Sequence, residues 1–125
     1  MGYEAFVVDG HSRDALALKY PPKFPQFIGH HITHNFGVRR NPTANYGAVI
    51  PVRVVGYVCN DDGLETFLIE VNGTTTRLDG VPYHLTWSLD RARGFRPVDS
   101  KHLVVSATRN INPPITVMTT FEYIQ

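Results

Sequence analysis

A single cysteine, Cys59, in 125 residues excludes an internal disulfide and fits a reducing compartment. No stretch approaches the roughly 18 consecutive apolar residues that a membrane span requires. The opening MGYEAFVVDG holds too short an apolar run for a signal peptide. Charge of one sign is also missing. Twelve Lys and Arg against eleven Asp and Glu leave a formal +1, too little for a global field that draws in nucleic acid, so an anionic partner has to be met by a local cluster. These absences point to a soluble, cytoplasmic protein. What is present is 42% apolar residues, enough for one domain over residues 1–125 with a single core. Nine prolines and ten glycines, spread among plentiful Val, Ile and Thr, favour many short elements joined by turns, hence a strand-rich α+β fold.

Along the chain, Tyr3 to Asp9 reads as a strand and Ser12 as the N-cap of a short helix, Arg13 to Lys19, stopped by Pro21 and Pro22. Ile28 to Gly37 reads as a second strand, and residues 39–48 as a polar loop. Val49 to Cys59, the turn Asn60-Asp61-Asp62-Gly63 and Leu64 to Val71 form the clearest local pattern, a β-hairpin. Asn72-Gly73 marks another turn, Pro82 to Leu89 a strand, Arg91 to Arg96 a basic loop, and Ile115 to Ile124 a strand after the Asn112-Pro113-Pro114 break. Val98 to Ala107 reads as a helix capped by Asp99 or Ser100, although Val104 and Val105 would suit a strand.

The stretch FIGHHITHNF sets His30, His31 and His34 close together, which raises the question of a metal. In a strand, alternate side chains point to opposite faces: His31 and Thr33 share one, His30, Ile32 and His34 the other. Three histidines split in this way do not converge on one ion. His11 and His102 have no recognisable ligand spacing relative to them, so a zinc site is disfavoured.

The pattern His-x-Thr occurs twice, as His31-Ile32-Thr33 and as His84-Leu85-Thr86, each in a predicted strand and each followed by arginines, Arg39 and Arg40 or Arg91 and Arg93. One copy would carry little meaning. Two copies in matching context resemble the 2H phosphoesterase superfamily, which is defined by paired His-hydrophobic-Thr/Ser-hydrophobic motifs. KYPPKFPQFIGHHITHNFGV, GVPYHLTWSL and RPVDSKHLV together resemble its small members, the Swiss Army Knife RNA repair-like proteins related to phosphodiesterase domains of tRNA ligases. The resemblance covers most of the chain. It implies a bilobal, pseudo-symmetric α+β fold in which two antiparallel sheets line a central cleft, with His31, Thr33, His84 and Thr86 as catalytic residues facing one another across it. It also implies that Val98 to Ala107 is helical. One position departs from the pattern: His34 stands where the first motif should be apolar, and if it faces the interior it needs a partner.

The chemistry of the motif can be stated independently. Cleaving a phosphodiester takes a proton from the attacking oxygen and gives one to the leaving oxygen, and two imidazoles with an ordinary pKa of about 6.5 can do both near neutral pH. No metal or other cofactor is required. Threonine hydroxyls on the same faces can donate to non-bridging phosphate oxygens, where charge accumulates. The sequence does not assign base and acid. Arg39, Arg91 and Arg93 are candidate phosphate contacts, with solvated loops as the alternative. Of the aromatics, Tyr46 is the best placed to stack on a base, because Tyr83 and Trp87 share the strand face opposite His84. Cys59 reads as a small buried apolar residue in the hairpin. The expected partner is an RNA end or a cyclic (oligo)nucleotide, and the expected activity is hydrolysis of a 2′,3′-cyclic phosphate or related diester. The alternatives are a phage-type nuclease cleaving cyclic oligonucleotide immune signals, a noncatalytic RNA or nucleotide reader, and a zinc hydrolase using His30, His31 and His34.

Overall fold

The computed structural model describes residues 1–106 and 108–125. Period-two alternation of apolar residues produces seven strands: β1 (Gly2–Val8), β2 (Gln26–Phe27), β3 (His31–Val38), β4 (Val49–Asn60), β5 (Leu64–Glu70), β6 (His84–Leu89) and β7 (Arg109–Ile124). Two helices join them, α1 (Gly10–Lys19) and the one-turn α2 (Ser100–Leu103). The class is α+β, as expected. The strands form one antiparallel sheet in the order β2-β6-β5-β4-β7-β1-β3, where two sheets flanking a cleft had been expected.

The curl of this sheet follows from how its edges connect. β2 lies at one edge and β3 at the other, yet only Ile28, Gly29 and His30 separate them in the chain. Ile28 and Gly29 donate their N–H groups to the carbonyls of Trp87 (2.9 Å) and Thr86 (3.0 Å), and Val8 N–H donates to His30 O (2.9 Å). One run of chain therefore bonds first to β6 and then to β1, stitching the two edges together. Gly29 makes the corner with φ +50°, and a Cβ there would lie 2.8 Å from Trp87 Cζ3 and 2.9 Å from Phe27 Cε1. Only glycine meets both demands.

Inside the curl, Phe6, Ile32, Val52, Val54, Phe67, Ile69, Leu85, Trp87 and Val117 form the core, with Leu16 of α1 packed against them. Each large apolar side chain so buried contributes about 1.5–3 kcal/mol. Trp87 Nε1–H finds the Tyr20 carbonyl at 2.8 Å, so its one polar atom is satisfied. A buried carboxylate braces the far end of β5 and β6: Glu65 accepts from Lys23 N–H (2.8 Å), Ser88 Oγ (2.5 Å) and Tyr57 Oη (2.5 Å).

Several local expectations shift. The cap of α1 is Asp9, whose carboxylate accepts from His11 N–H at 3.0 Å. Ser12, the expected cap, lies inside the helix and accepts from Met118 N–H at 2.9 Å, pinning α1 to β7. The hairpin of β4 and β5 turns at Asn60 to Gly63, with Gly63 N–H donating to Asn60 O at 3.0 Å. β7 runs through the prolines that had been read as a break. It can do so because its pairing with β4 jumps from Val54↔Ile115 to Gly56↔Asn110, leaving Pro113 and Pro114 out of the ladder they cannot serve. The expected helix from Val98 shortens to a 3₁₀ turn, Pro97–Asp99, followed by α2, with Val104 and Val105 in a turn; Ala107 lies outside the described residues. Among the described residues, no helix is long and apolar enough to cross a membrane.

Candidate functional site

His31 and Thr33 open β3, and His84 and Thr86 open β6. Their neighbours Ile32 and Leu85 are fully buried in the core. Alternation therefore sends both His-x-Thr pairs to the opposite, non-core face of the sheet. The stitched seam then draws β3 and β6 together without a ladder between them. His84 lies close enough for its charge to act on His31.

Three effects hold the pKa of His31 down to about 4: burial first, then the charge of His30, then that of His84. The pKa of His84 is also lowered, by burial and by Arg77 and Lys101, while a hydrogen bond to the Pro82 carbonyl opposes the shift. That bond is 2.8 Å from Nδ1. A carbonyl can only accept, so Nδ1 carries the proton and the Nε2 lone pair of the neutral ring is left open. His31 has a different neighbour: its Nδ1 lies 2.9 Å from Nδ1 of the exposed His30, one ring donating and the other accepting.

His34 is not part of this group. It points to the core side, stacked parallel on Tyr83 and edge-on to Phe6 and Phe121, with Nδ1 2.8 Å from the Tyr83 hydroxyl. The polar residue at an apolar motif position thus has its partner. Among the described residues, no three His, Cys, Asp or Glu side chains are grouped to hold a metal ion. The two threonines also differ. Thr33 is half-buried, whereas Thr86 is buried with its hydroxyl 2.7 Å from Ser100 Oγ and 3.4 Å from Pro97 O.

The arginines expected at the rim lie elsewhere. Arg39 and Arg91 follow the far ends of β3 and β6, and at about 3.3 Å per residue each lies roughly 20 Å or more along its strand from the histidine. Arg91 is bonded to Gln26 Oε1, and Arg93 to Asp62 O (3.3 Å) and the Asp90 carboxylate (3.6 Å). Tyr46 is tied into the structure: its hydroxyl donates to Glu4 at 2.7 Å and accepts from Asn41 N–H at 2.9 Å, and Arg40 lies 5.1 Å over its ring. The cations that do act on His84 are Arg77 and Lys101. Arg77 has a largely buried side chain, oriented by paired bonds to Asp79 at 3.0 and 2.6 Å. Its only signal in the sequence is its place in the turn-rich segment leading into His84, next but one to the acid that holds it.

Comparison of the chain with family models, with curated proteins and with solved structures gives no match.

Proposed function

We propose that this chain is a metal-independent phosphodiesterase in which His31 and His84 are the acid-base pair, acting on a phosphodiester with a neighbouring 2′-oxygen, in its simplest form an RNA 2′,3′-cyclic phosphate. The observation that carries this reading is that the two imidazoles share the non-core face near enough for the charge of His84 to act on His31, with Arg77 and Lys101 near enough to act on His84 and to attract an anion. On this reading the repeated motif follows the 2H pattern. The sheet then comprises two half-sheets, β7-β1-β3 and β4-β5-β6-β2, each carrying one His-x-Thr.

The environments of the two rings suggest their roles. His31, the more strongly depressed, is neutral and takes the proton from water as the water oxygen attacks phosphorus. His84, whose imidazolium the Pro82 carbonyl favours, gives its proton to the departing ribose oxygen. One P–O bond forms and one breaks, and exchange with solvent restores both rings. Thr33 Oγ1 donates to a non-bridging oxygen, while Thr86, held by Ser100, is a positioning residue.

The test is incubation with EDTA and either an oligonucleotide ending in a 2′,3′-cyclic phosphate or a cyclic dinucleotide. Turnover should survive chelation and fall about 100-fold or more in His31→Ala and in His84→Ala. Cleavage of the cyclic dinucleotide alone would move the substrate to cyclic signalling molecules. Binding of either probe without cleavage, or wild-type rates in both variants, would overturn the proposal.

A further inference from the structure

On the core side of the sheet, where β4 and β6 begin and β5 ends, a cavity of about 270 Å³ opens between Phe6, His34, Ile50, Tyr83 and Phe121. Its walls are mostly rings. His34 lies parallel to Tyr83, their centroids 6.0 Å apart, and Phe6 is 5.4 Å from Phe121. The rim is different: exposed Asn45, Asn72 and Thr74 line it, the Thr74 hydroxyl also accepting from Thr76 N–H at 3.1 Å within its own turn. Asn72 is held there in the left-handed region, φ 49°, by the Asn72-Gly73 turn that Val71 and Thr74 close with mutual backbone bonds of 2.8 and 3.1 Å.

These features together specify a ligand. Aromatic walls suit a planar ring. The volume is just below the roughly 300–1,000 Å³ of typical small-molecule sites, which fits a single ring system better than a whole nucleotide. A hydrocarbon would bury the His34–Tyr83 pair and cover the rim amides without replacing their hydrogen bonds to water. Charge is not selected, because the residues that line the cavity include no Asp, Glu, Lys or Arg. We propose that this pocket binds a nucleobase, an uncharged planar heterocycle whose edge is read by Asn45, Asn72, Thr74 and the His34–Tyr83 pair. It lies across the sheet from His31 and His84, so the inference stands whether or not those two are catalytic.

The experiment is saturation-transfer and chemical-shift NMR on the full chain with adenine, uracil, toluene and a single-stranded tetra-adenylate. At least one free base should bind saturably, shift the backbone amides of Ala48, Asn72 and Thr74, and bind at least tenfold more weakly to Ala48→Phe, which fills the cavity. Binding of the tetranucleotide with the same shifts would mark the source as a base turned out of a strand; shifts with free bases alone would mark a free base or nucleoside. Absence of saturable base binding to the wild-type chain, shifts that map elsewhere, or toluene binding as tightly as the bases would overturn the proposal. The wild-type shift map decides even if the filled variant does not fold.

Discussion

The hydroxyls of Thr86 and Ser100 lie 2.7 Å apart, both side chains buried, so the second threonine of the repeated motif already has a protein partner whereas the first stands half open. Thr86→Val would strand Ser100 and should cost about 1–3 kcal/mol, the usual penalty for a buried hydroxyl left without its partner. Thr33→Val should leave the denaturation midpoint nearly unchanged and lower kcat. Urea titration and steady-state kinetics on the two variants separate these effects.

The rate should depend on pH in a bell displaced to the acid side. On the proposed roles the free protein needs His31 neutral, which holds above about pH 4, and His84 protonated, which holds only below a pKa depressed from 6.5. A plot of kcat/KM should therefore peak between these limits and fall about tenfold per unit above them. A bound phosphate raises both values, so the optimum for kcat should lie higher than that for kcat/KM. Identical profiles for the two parameters would contradict a phosphate placed between the rings.

Stability carries the same ring in a second way. His31 has a folded pKa of about 4 against 6.5 for an exposed ring, so between these values the unfolded chain binds more protons and stability must fall as the solution is acidified from pH 6.5 toward 4. The slope is at most about 1.4 kcal/mol per pH unit for one group. His31→Asn should reduce it, leaving the part that comes from His34 and His84, whose pKa values burial also lowers, and thermal denaturation across that window would measure the difference.

Gly29→Ala should be among the most damaging single changes. It combines a φ of +50° with a Cβ only 2.8 Å from Trp87, and both strain the corner that joins the sheet edges. The expected result is a loss of more than 1 kcal/mol in folding stability together with loss of turnover. Ala at Gly37, whose φ is +71° but whose Cβ meets nothing within 4 Å, is the control for backbone strain alone.

What could be read from the letters was whatever alternation and turn chemistry decide. The β4–β5 hairpin, the burial of Trp87 and Tyr83, and the face shared by His31 and Thr33 all follow from a period of two and from Asn/Asp/Gly turns. Features set by distant parts of the chain were not legible. The arginines after each motif are near the histidines in sequence, but an extended strand carries them away, while Arg77 and Lys101 approach His84 from other segments. The single sheet was hidden for the same reason: Gly29 in QFIGHHI gives no sign that one strand ends and another begins around it. The carboxylate of Glu65, buried with three donors, occupies a hairpin position where alternation alone would allow it to face water.

The corner at Gly29 has a mechanical consequence. Ile28, Gly29 and His30 form a covalent strap across the seam, hydrogen-bonded to β6 on one side and β1 on the other. The strand that begins with His31 is thereby tied to the strand that begins with His84 through three peptide units and their backbone bonds. Lengthening that strap by one residue would let the two strands drift apart, so the register of the seam rests on the shortness of this connection.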